Sequence, residues 1–438
     1  MKEREYKSFK VSSLTNDDFA MQALRWSGLH FGTSVYLNSN SYDHDKYSSL
    51  QQVVALGAAE SFHGGPSSVF KELKAFADRF DDWLFGVFSY ELKNQSEQLQ
   101  SKNPDGINMP LAHFFRPVIL LIRDSETWQI GCLPGYGNLS CPDNVFAGIL
   151  NHQREATSGR SPLHVKAKVS KLRYLQQVEA IKEHIQAGDV YEMNYCVEFF
   201  AEDADVNPVS VYESLNKTSP TPFSCFYADD GKYLMCASPE RFMKKQGNRL
   251  ISQPIKGTSA RGATPSEDLI LKQDLYNDTK ERSENVMIVD LVRNDLSRTA
   301  RKGSVKVEEL FGIYSFKQVH QMISTVVAEL KPGCHYLDAI KYAFPMGSMT
   351  GAPKIRAMQL IDNYEDTCRG LYSGAVGYIS PEKNFDFNVV IRSLQYNAKN
   401  KYLSYMAGSA ITSGSVPEKE YEECLLKAGA MAKALQGY

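Results

Sequence analysis

Apolar positions along the chain change texture about a third of the way in. Over residues 1–150, amphipathic helical stretches mix with short apolar runs, and residues 83–90 (Trp-Leu-Phe-Gly-Val-Phe-Ser-Tyr) and 113–122 read as buried strands. A polar stretch at 151–170, carrying Gly159, Ser161 and Pro162, reads as a linker between an N-terminal region, 1–150, and a larger unit, 171–438. From Lys171, the residues Leu175, Val178, Ile181 and Ile185 recur at helical spacing up to Gly188. Strands then dominate. Residues 223–228 and 233–237 flank the turn Asp229-Asp230-Gly231, and an antiparallel meander is expected from 372–379, 385–396 and 402–411. Helices are expected at 281–299, 353–363 and 417–435. Blocks of strands with segregated helices predict an α+β fold rather than a βαβ repeat.

Charge and cysteine usage narrow the function classes. Acids and bases nearly cancel over 438 residues, leaving a formal net charge of −2, so nothing steers the whole chain toward nucleic acid or an anionic membrane. The charged start, Met1-Lys2-Glu3-Arg4-Glu5, predicts no secretory leader, and apolar runs such as 118–122 are too short to span a bilayer. A cytoplasmic protein is expected. Eight scattered cysteines form no CxxC pair and no His/Cys cluster has zinc spacing, which predicts reduced thiols.

Candidate chemistry lies in a few segments. Two expected helices each carry a Glu-x-x-Glu pair, Glu281 with Glu284 and Glu420 with Glu423, and residues three apart share a helix face. Lys427 follows Glu423 by one turn on that face. Alone, each pair is an ordinary solvated face. If the helices face each other, up to four carboxylates converge, a hard-oxygen set that suits Mg²⁺. Residues 345–354 form a glycine-bearing turn into a helix, with Pro353 suited to its first position and Ile355, Met358 and Ile361 marking the buried face. The turn is not a Walker A loop, though amides at the helix start could receive a carboxylate. Lys256, beside Gly257 at a strand end, is a nucleophile only if desolvated or set near another cation. Glu240 lies sixteen residues upstream, next to Arg241, its expected ion-pair partner. His320 is a lone histidine. Arg392 follows three apolar residues, and an arginine projecting inward there needs a bidentate partner such as a carboxylate.

Taken in order, PIKGT, ENVMIVDLVRNDL, VHQMIS, GSMTGAPK, GAVGYI, VIRSL, AGSAIT and EYEECLLK cover most of residues 170–430. Each is weak alone; as an ordered set they resemble the chorismate-utilising family. That family comprises anthranilate synthase component I, aminodeoxychorismate synthase component I, and the isochorismate and salicylate synthases. The N-terminal part matches more loosely, through WLFGVFSYELK. The resemblance implies an α+β unit of two antiparallel sheets packed face to face with outer helices. It implies that Glu284 and Glu423 hold Mg²⁺ directly, with Glu281 and Glu420 supporting through water. The ion would clamp the ring carboxylate of chorismate, helped by backbone amides at Gly408, Ser409 and Ala410, with Lys427 nearby. Gly257, Thr258, Tyr378 and Arg392 would hold the enolpyruvyl side, and His320 would sit beside the reacting ring. Ala410 stands where anthranilate synthases carry a third glycine, which narrows backbone freedom.

Position 256 separates the family's members. Anthranilate synthases resemble PIAGT, whereas aminodeoxychorismate synthases resemble PIKGT, as here. That likeness implies attack by Lys256 on the ring, loss of the C4 hydroxyl with Glu240 as acid, and ammonia then entering at C4. Glu192 departs from the pattern: amine-using members carry Gln there and water-using members a lysine, while Asn194 fits the aminodeoxychorismate pattern. No Gly-x-Cys-x-Gly elbow is present, Cys132 lacking that spacing, so the family implies a separate glutamine amidotransferase subunit. Two other readings remain: anthranilate synthase component I, against which stand Lys256 and the absence of a Leu-Leu-Glu-Ser motif, and a catalytically dead regulatory subunit of the same fold.

Overall fold

Alternation of apolar and polar side chains makes one-sided strands, and the chain stacks those faces into walls. A computed structural model describes residues 3–152 and 163–436. Of the stretch expected as a linker, 153–162 lie outside the described residues.

Among the described residues all strand pairings are antiparallel, and hydrogen bonds link twenty strands into one network bent into two facing walls. One wall runs through Val319–Glu329, Arg249–Gln253, Arg241–Gln246, Phe385–Asn388, Ala375–Ile379, Leu84–Phe88 and Ala112–Asp124. The other runs through Gln52–His63, Ser34–Asn38, Phe223–Asp229, Lys232–Ser238, Ser393–Asn397, Tyr402–Ile411 and Glu192–Ala201. They join where Gln52–His63 pairs with Ala112–Asp124. Between them lies an inner core containing Val35, Val53, Phe85, Phe115, Tyr227, Leu234 and Val376. Helices cover both outer faces. Thr279–Ser297 and Tyr336–Ala343 contribute to one outer core, while Asn16–Ser27, Lys171–Gln186, Lys354–Tyr364 and Pro417–Gln436 contribute to the other. The expected α+β class, two antiparallel sheets face to face with outer helices, is what the chain adopts.

Two local expectations are corrected. Residues 385–396 are not one strand of a meander. Phe385–Asn388 pairs within the first wall and Ser393–Asn397 within the second. The chain crosses between walls at 389–392, where Arg392 takes φ 49°, a corner that ends any continuous strand. In Lys354–Tyr364, Ile355 is exposed, and the buried face is Ala357, Met358, Leu360 and Ile361. The helix starts one residue later than expected, with Pro353 as its N-cap.

Candidate functional site

Several strand and helix starts meet at one end of the walls. Asp278 caps the Thr279–Ser297 helix by accepting the Glu281 amide at 2.9 Å, which sets Glu281 and Glu284 in its first turns. Pro417 opens the helix that carries Glu420 and Glu423. The two carboxylate pairs converge on Lys280: burial acts to lower its amine, but Glu284, Glu281, Glu420 and Glu423 outweigh burial and raise it. Lys280 Nζ stands 3.6 Å from Glu284. Burial raises the carboxyls of Glu281 and Glu284, and for Glu281 the charge of Glu284 adds to it. Lys427 pairs with Glu423 at 2.7 Å and donates to the Gly408 carbonyl at 3.1 Å.

This donor set is hard oxygen throughout, and its negative charge is answered by Lys280, Lys256 and Lys427. No three of its carboxylates bring ligand atoms within 4.8 Å of one another. Mg²⁺ keeps waters and takes one or two carboxylates directly, so it does not require three to converge.

The residues around position 256 are tied to that cluster. Lys256 Nζ lies 3.4 Å from a carboxylate oxygen of Glu192, a fully buried side chain whose two oxygens have no hydrogen-bond partner. Asn285, one residue past Glu284, donates to the Lys256 carbonyl at 3.3 Å and accepts from Ser324 at 2.5 Å. Gly257 takes φ 105°, and a Cβ there would stand 3.1 Å from a Glu281 oxygen and 3.2 Å from Met322 Cβ. Only glycine fits that approach without strain. Thr258 is exposed.

Glu240 is buried, accepts from Ser348 Oγ at 2.6 Å and receives the Ile255 amide beside Lys256. Burial pushes its carboxyl up to about 7, with the Ser348 and Ile255 hydrogen bonds and Lys256 acting against it. Its expected pairing with Arg241 does not form; Arg241 instead binds Asp45 and Asp386. Ser348 sits on the turn inside GSMTGAPK, and that turn is anchored from below. Arg369, in a buried pair with Glu365 at 2.6 Å, donates to the Met349 carbonyl at 2.8 Å. The motif was visible in the sequence, but neither Ser348 nor Arg369 stood out.

Arg392 is half-buried at the wall-crossing corner. Its carbonyl accepts the Ala237 amide, and Val389, three residues earlier, donates to the Glu240 carbonyl. Burial lowers its guanidinium, and no side chain among the described residues pairs with it. An anionic group would fill that role. Gly408, Ser409 and Ala410 pair with Cys196, Tyr195 and Asn194 on one edge. On the other edge the partner strand ends at Tyr405, so amides directed there are not taken by a strand. A Cβ at Gly408 would collide with the Tyr195 carbonyl at 2.1 Å.

Two further expected residues have partners of their own. Both ring nitrogens of His320 are engaged, by Ser315 at 2.9 Å and by Asp268 at 3.0 Å. Tyr378 packs on Trp83 and lines a separate cavity between the walls with Asp45, Ser49 and Arg241. Strand alternation is the reason: Val376 and Tyr378 face the inner core, while Ala375 and Ile379 face the outer core that holds Ile288 and Met349.

The comparisons agree with this architecture. A family model described as chorismate binding enzyme matches residues 32–433. The chain belongs to the chorismate-binding enzyme family. It is 32% identical over 436 residues to anthranilate synthase component 1 of Aquifex aeolicus, covering 94% of this chain and 86% of that one. It is 36% identical over 369 residues to the aminodeoxychorismate synthase of Streptomyces griseus, covering 81% of this chain but only 50% of that relative. Among solved structures, anthranilate synthase component I from Streptococcus pneumoniae superposes with a TM-score of 0.76 at 25% identity, over 89% of this chain and 95% of that one. Relatives of both aminating activities thus stand at similar identity. No helix among the described residues is long and apolar enough to cross a membrane.

Proposed function

We propose that this chain aminates chorismate at C4 to give 4-amino-4-deoxychorismate, as the synthase component that works with a separate glutamine amidotransferase subunit. The observation that carries the reading is Lys256, set between the buried carboxylate of Glu192 and the glutamate cluster, with the protonatable Glu240 close by.

In this reading Glu192 takes the proton that Lys256 must lose to become a nucleophile. The Lys256 nitrogen then bonds to a ring carbon, the ring double-bond electrons shift, and the C4–O bond breaks. Glu240 supplies the proton with which the hydroxyl leaves as water. Ammonia bonds to C4, the electrons return, and the bond to Lys256 breaks, restoring the amine. Arg392 and the backbone at Gly257 hold the enolpyruvyl carboxylate, and the Gly408–Ala410 amides hold the ring carboxylate. Glu284 and Glu423, supported by Glu281 and Glu420, would hold Mg²⁺, which would supply positive charge for the ring carboxylate. His320 acts through its position, fixed by Asp268 and Ser315.

Product identification from chorismate, Mg²⁺ and ammonium tests the reading. The expected product is 4-amino-4-deoxychorismate, with no turnover when glutamine replaces ammonium. Fluorescent anthranilate with released pyruvate would reassign the chain to the anthranilate branch. A hydroxylated isomer of chorismate would make Glu192 an activator of water. No Mg²⁺-dependent turnover at all would leave a binding subunit.

A further inference from the structure

Far from the glutamate cluster in sequence, three side chains meet where the two walls end together. His63 closes the strand Gln52–His63, and His113 stands directly opposite it in register on Ala112–Asp124. Their rings stack with centroids 4.3 Å apart. Asp229, the last residue of Phe223–Asp229, approaches both: one oxygen is 3.0 Å from His63 Nε2, and the other is 3.8 Å from His113 Nε2. Thr33 holds the latter oxygen with a 2.8 Å hydrogen bond.

His113 is the informative member. It is fully buried, its Nδ1 lies 2.9 Å from the hydroxyl oxygen of buried Tyr227, and its Nε2 has no hydrogen-bond partner. A buried imidazole nitrogen left unpaired needs an explanation. With Tyr227 accepting the Nδ1 proton, the Nε2 lone pair points toward Asp229 and His63. In that tautomer the Tyr227 contact would serve as the outer hydrogen bond that orients a metal-binding histidine.

The spacing suits an ion. All three ligand atoms lie within 4.8 Å of one another, a closure that among the described residues only this group shows. A tetrahedral ion with bonds of about 2.0–2.1 Å sets its ligand atoms roughly 3.3 Å apart. Asp229 faces the two imidazoles with different oxygens, 3.0 Å from His63 and 3.8 Å from His113, so a carboxylate spanning both oxygens meets each ring near that separation. Two imidazoles and one carboxylate favour zinc-like ions over Mg²⁺, whose preference is for oxygen. His63 is half exposed, which leaves a solvent-facing side for ion entry and for a water as fourth ligand.

We propose that His63, His113 and Asp229 form a second metal site, for Zn²⁺ or a similar transition-metal ion, that fastens the strand ends of the two walls together. It does not depend on the proposed amination chemistry, since none of its residues takes part in that reaction.

The test uses the full chain, stripped with chelator and then held in a large excess of Mg²⁺ to occupy the glutamates. Zn²⁺ is titrated by calorimetry, Co²⁺ is used as a spectroscopic probe, and thermal unfolding is followed with and without Zn²⁺. One equivalent of Zn²⁺ is expected to bind over the Mg²⁺ background and raise the unfolding temperature, and Co²⁺ is expected to give a tetrahedral visible spectrum. His63→Ala, at an exposed position, and Asp229→Asn are expected to weaken binding at least tenfold. His63→Ala is expected to keep wild-type Mg²⁺-dependent turnover. Absence of a stoichiometric site over Mg²⁺ overturns the proposal. So does Zn²⁺ binding that both variants leave unchanged, which would move the ion to cysteines or glutamates.

Discussion

Lys256 Nζ lies 3.4 Å from the carboxylate of Glu192, and that carboxylate, fully buried, has no hydrogen bond to share its charge. Breaking one half of a buried ion pair strands the other half in a poor solvent, at a cost of about 3–5 kcal/mol. Lys256→Met is therefore expected to destabilise the fold by roughly 3 kcal/mol at neutral pH. Adding Glu192→Gln to that variant should restore most of the loss. Denaturant unfolding of the four proteins of the double-mutant cycle measures this directly, and additive effects would show that the pair is not coupled. The same result guards any activity assay on Lys256 variants against being read through a damaged fold.

Glu240 gives a signature in pH. Its carboxyl, raised by burial to about 7, is protonated on the acidic side of neutrality and ionised above it. An acid role predicts a turnover rate that falls as pH rises through about 7, and a loss of roughly 10²–10⁴-fold in Glu240→Gln. Stability should follow the same group. Because the folded value lies above the ordinary value of 4.5, the favourable term is full below 4.5 and is lost as pH rises through about 7. Glu240→Gln escapes that loss, so relative to wild type it should gain up to about 3 kcal/mol between pH 4 and pH 8. Ser348→Ala removes a hydrogen bond that favours the ionised form and should move the alkaline limb of the rate profile higher.

The four glutamates predict a dependence on metal visible in binding as well as turnover. Mg²⁺ should raise the unfolding temperature of the wild-type chain by satisfying carboxylates that burial leaves unfavourably charged. Glu284→Gln and Glu423→Gln should each lose that stabilisation and at least about 10²-fold in activity at ordinary Mg²⁺. Near-normal turnover in either variant would remove it from the ligand set.

A covalent step on Lys256 can be trapped. Chorismate and Mg²⁺ without ammonia should leave an adduct of chorismate less water on Lys256, found by intact mass and peptide mapping. Lys256→Ala should form none. A lysine that only held a carboxylate would never bond to the ring, and the native chain would then keep its unmodified mass.

Legibility in the sequence followed the range of the forces involved. The Thr279–Ser297 helix was foreseeable because its apolar face and glutamates are local, as was the Phe223–Ser238 hairpin because Asp230-Gly231 supplies its turn. The corner at Arg392 was not, because Val389-Val390-Ile391 continues a strand pattern and the break is imposed by two walls claiming its two halves. Motif order led to Lys256, Glu240 and the glutamates. It could not show that Glu192 is the partner of Lys256, that Asp268 occupies His320, or that Tyr378 faces the inner cavity. Those are contacts across walls. The meeting of His63, His113 and Asp229 was invisible for the same reason, since its members share no local spacing.

The interleaving of the walls also has a consequence for synthesis of the chain. Phe85 faces Tyr378 across one pair of strands, and Leu37 faces Cys225 across another. A ribosome therefore releases the early strands long before their partners exist. Until residue 379 has emerged, Leu84–Phe88 has an open, apolar edge, the kind that pairs with the wrong chain. Contacts so distant along the sequence also close slowly. Holding that edge apart during translation is a task for chaperones, and expression yield should respond to them more strongly than the equilibrium stability of the finished protein does.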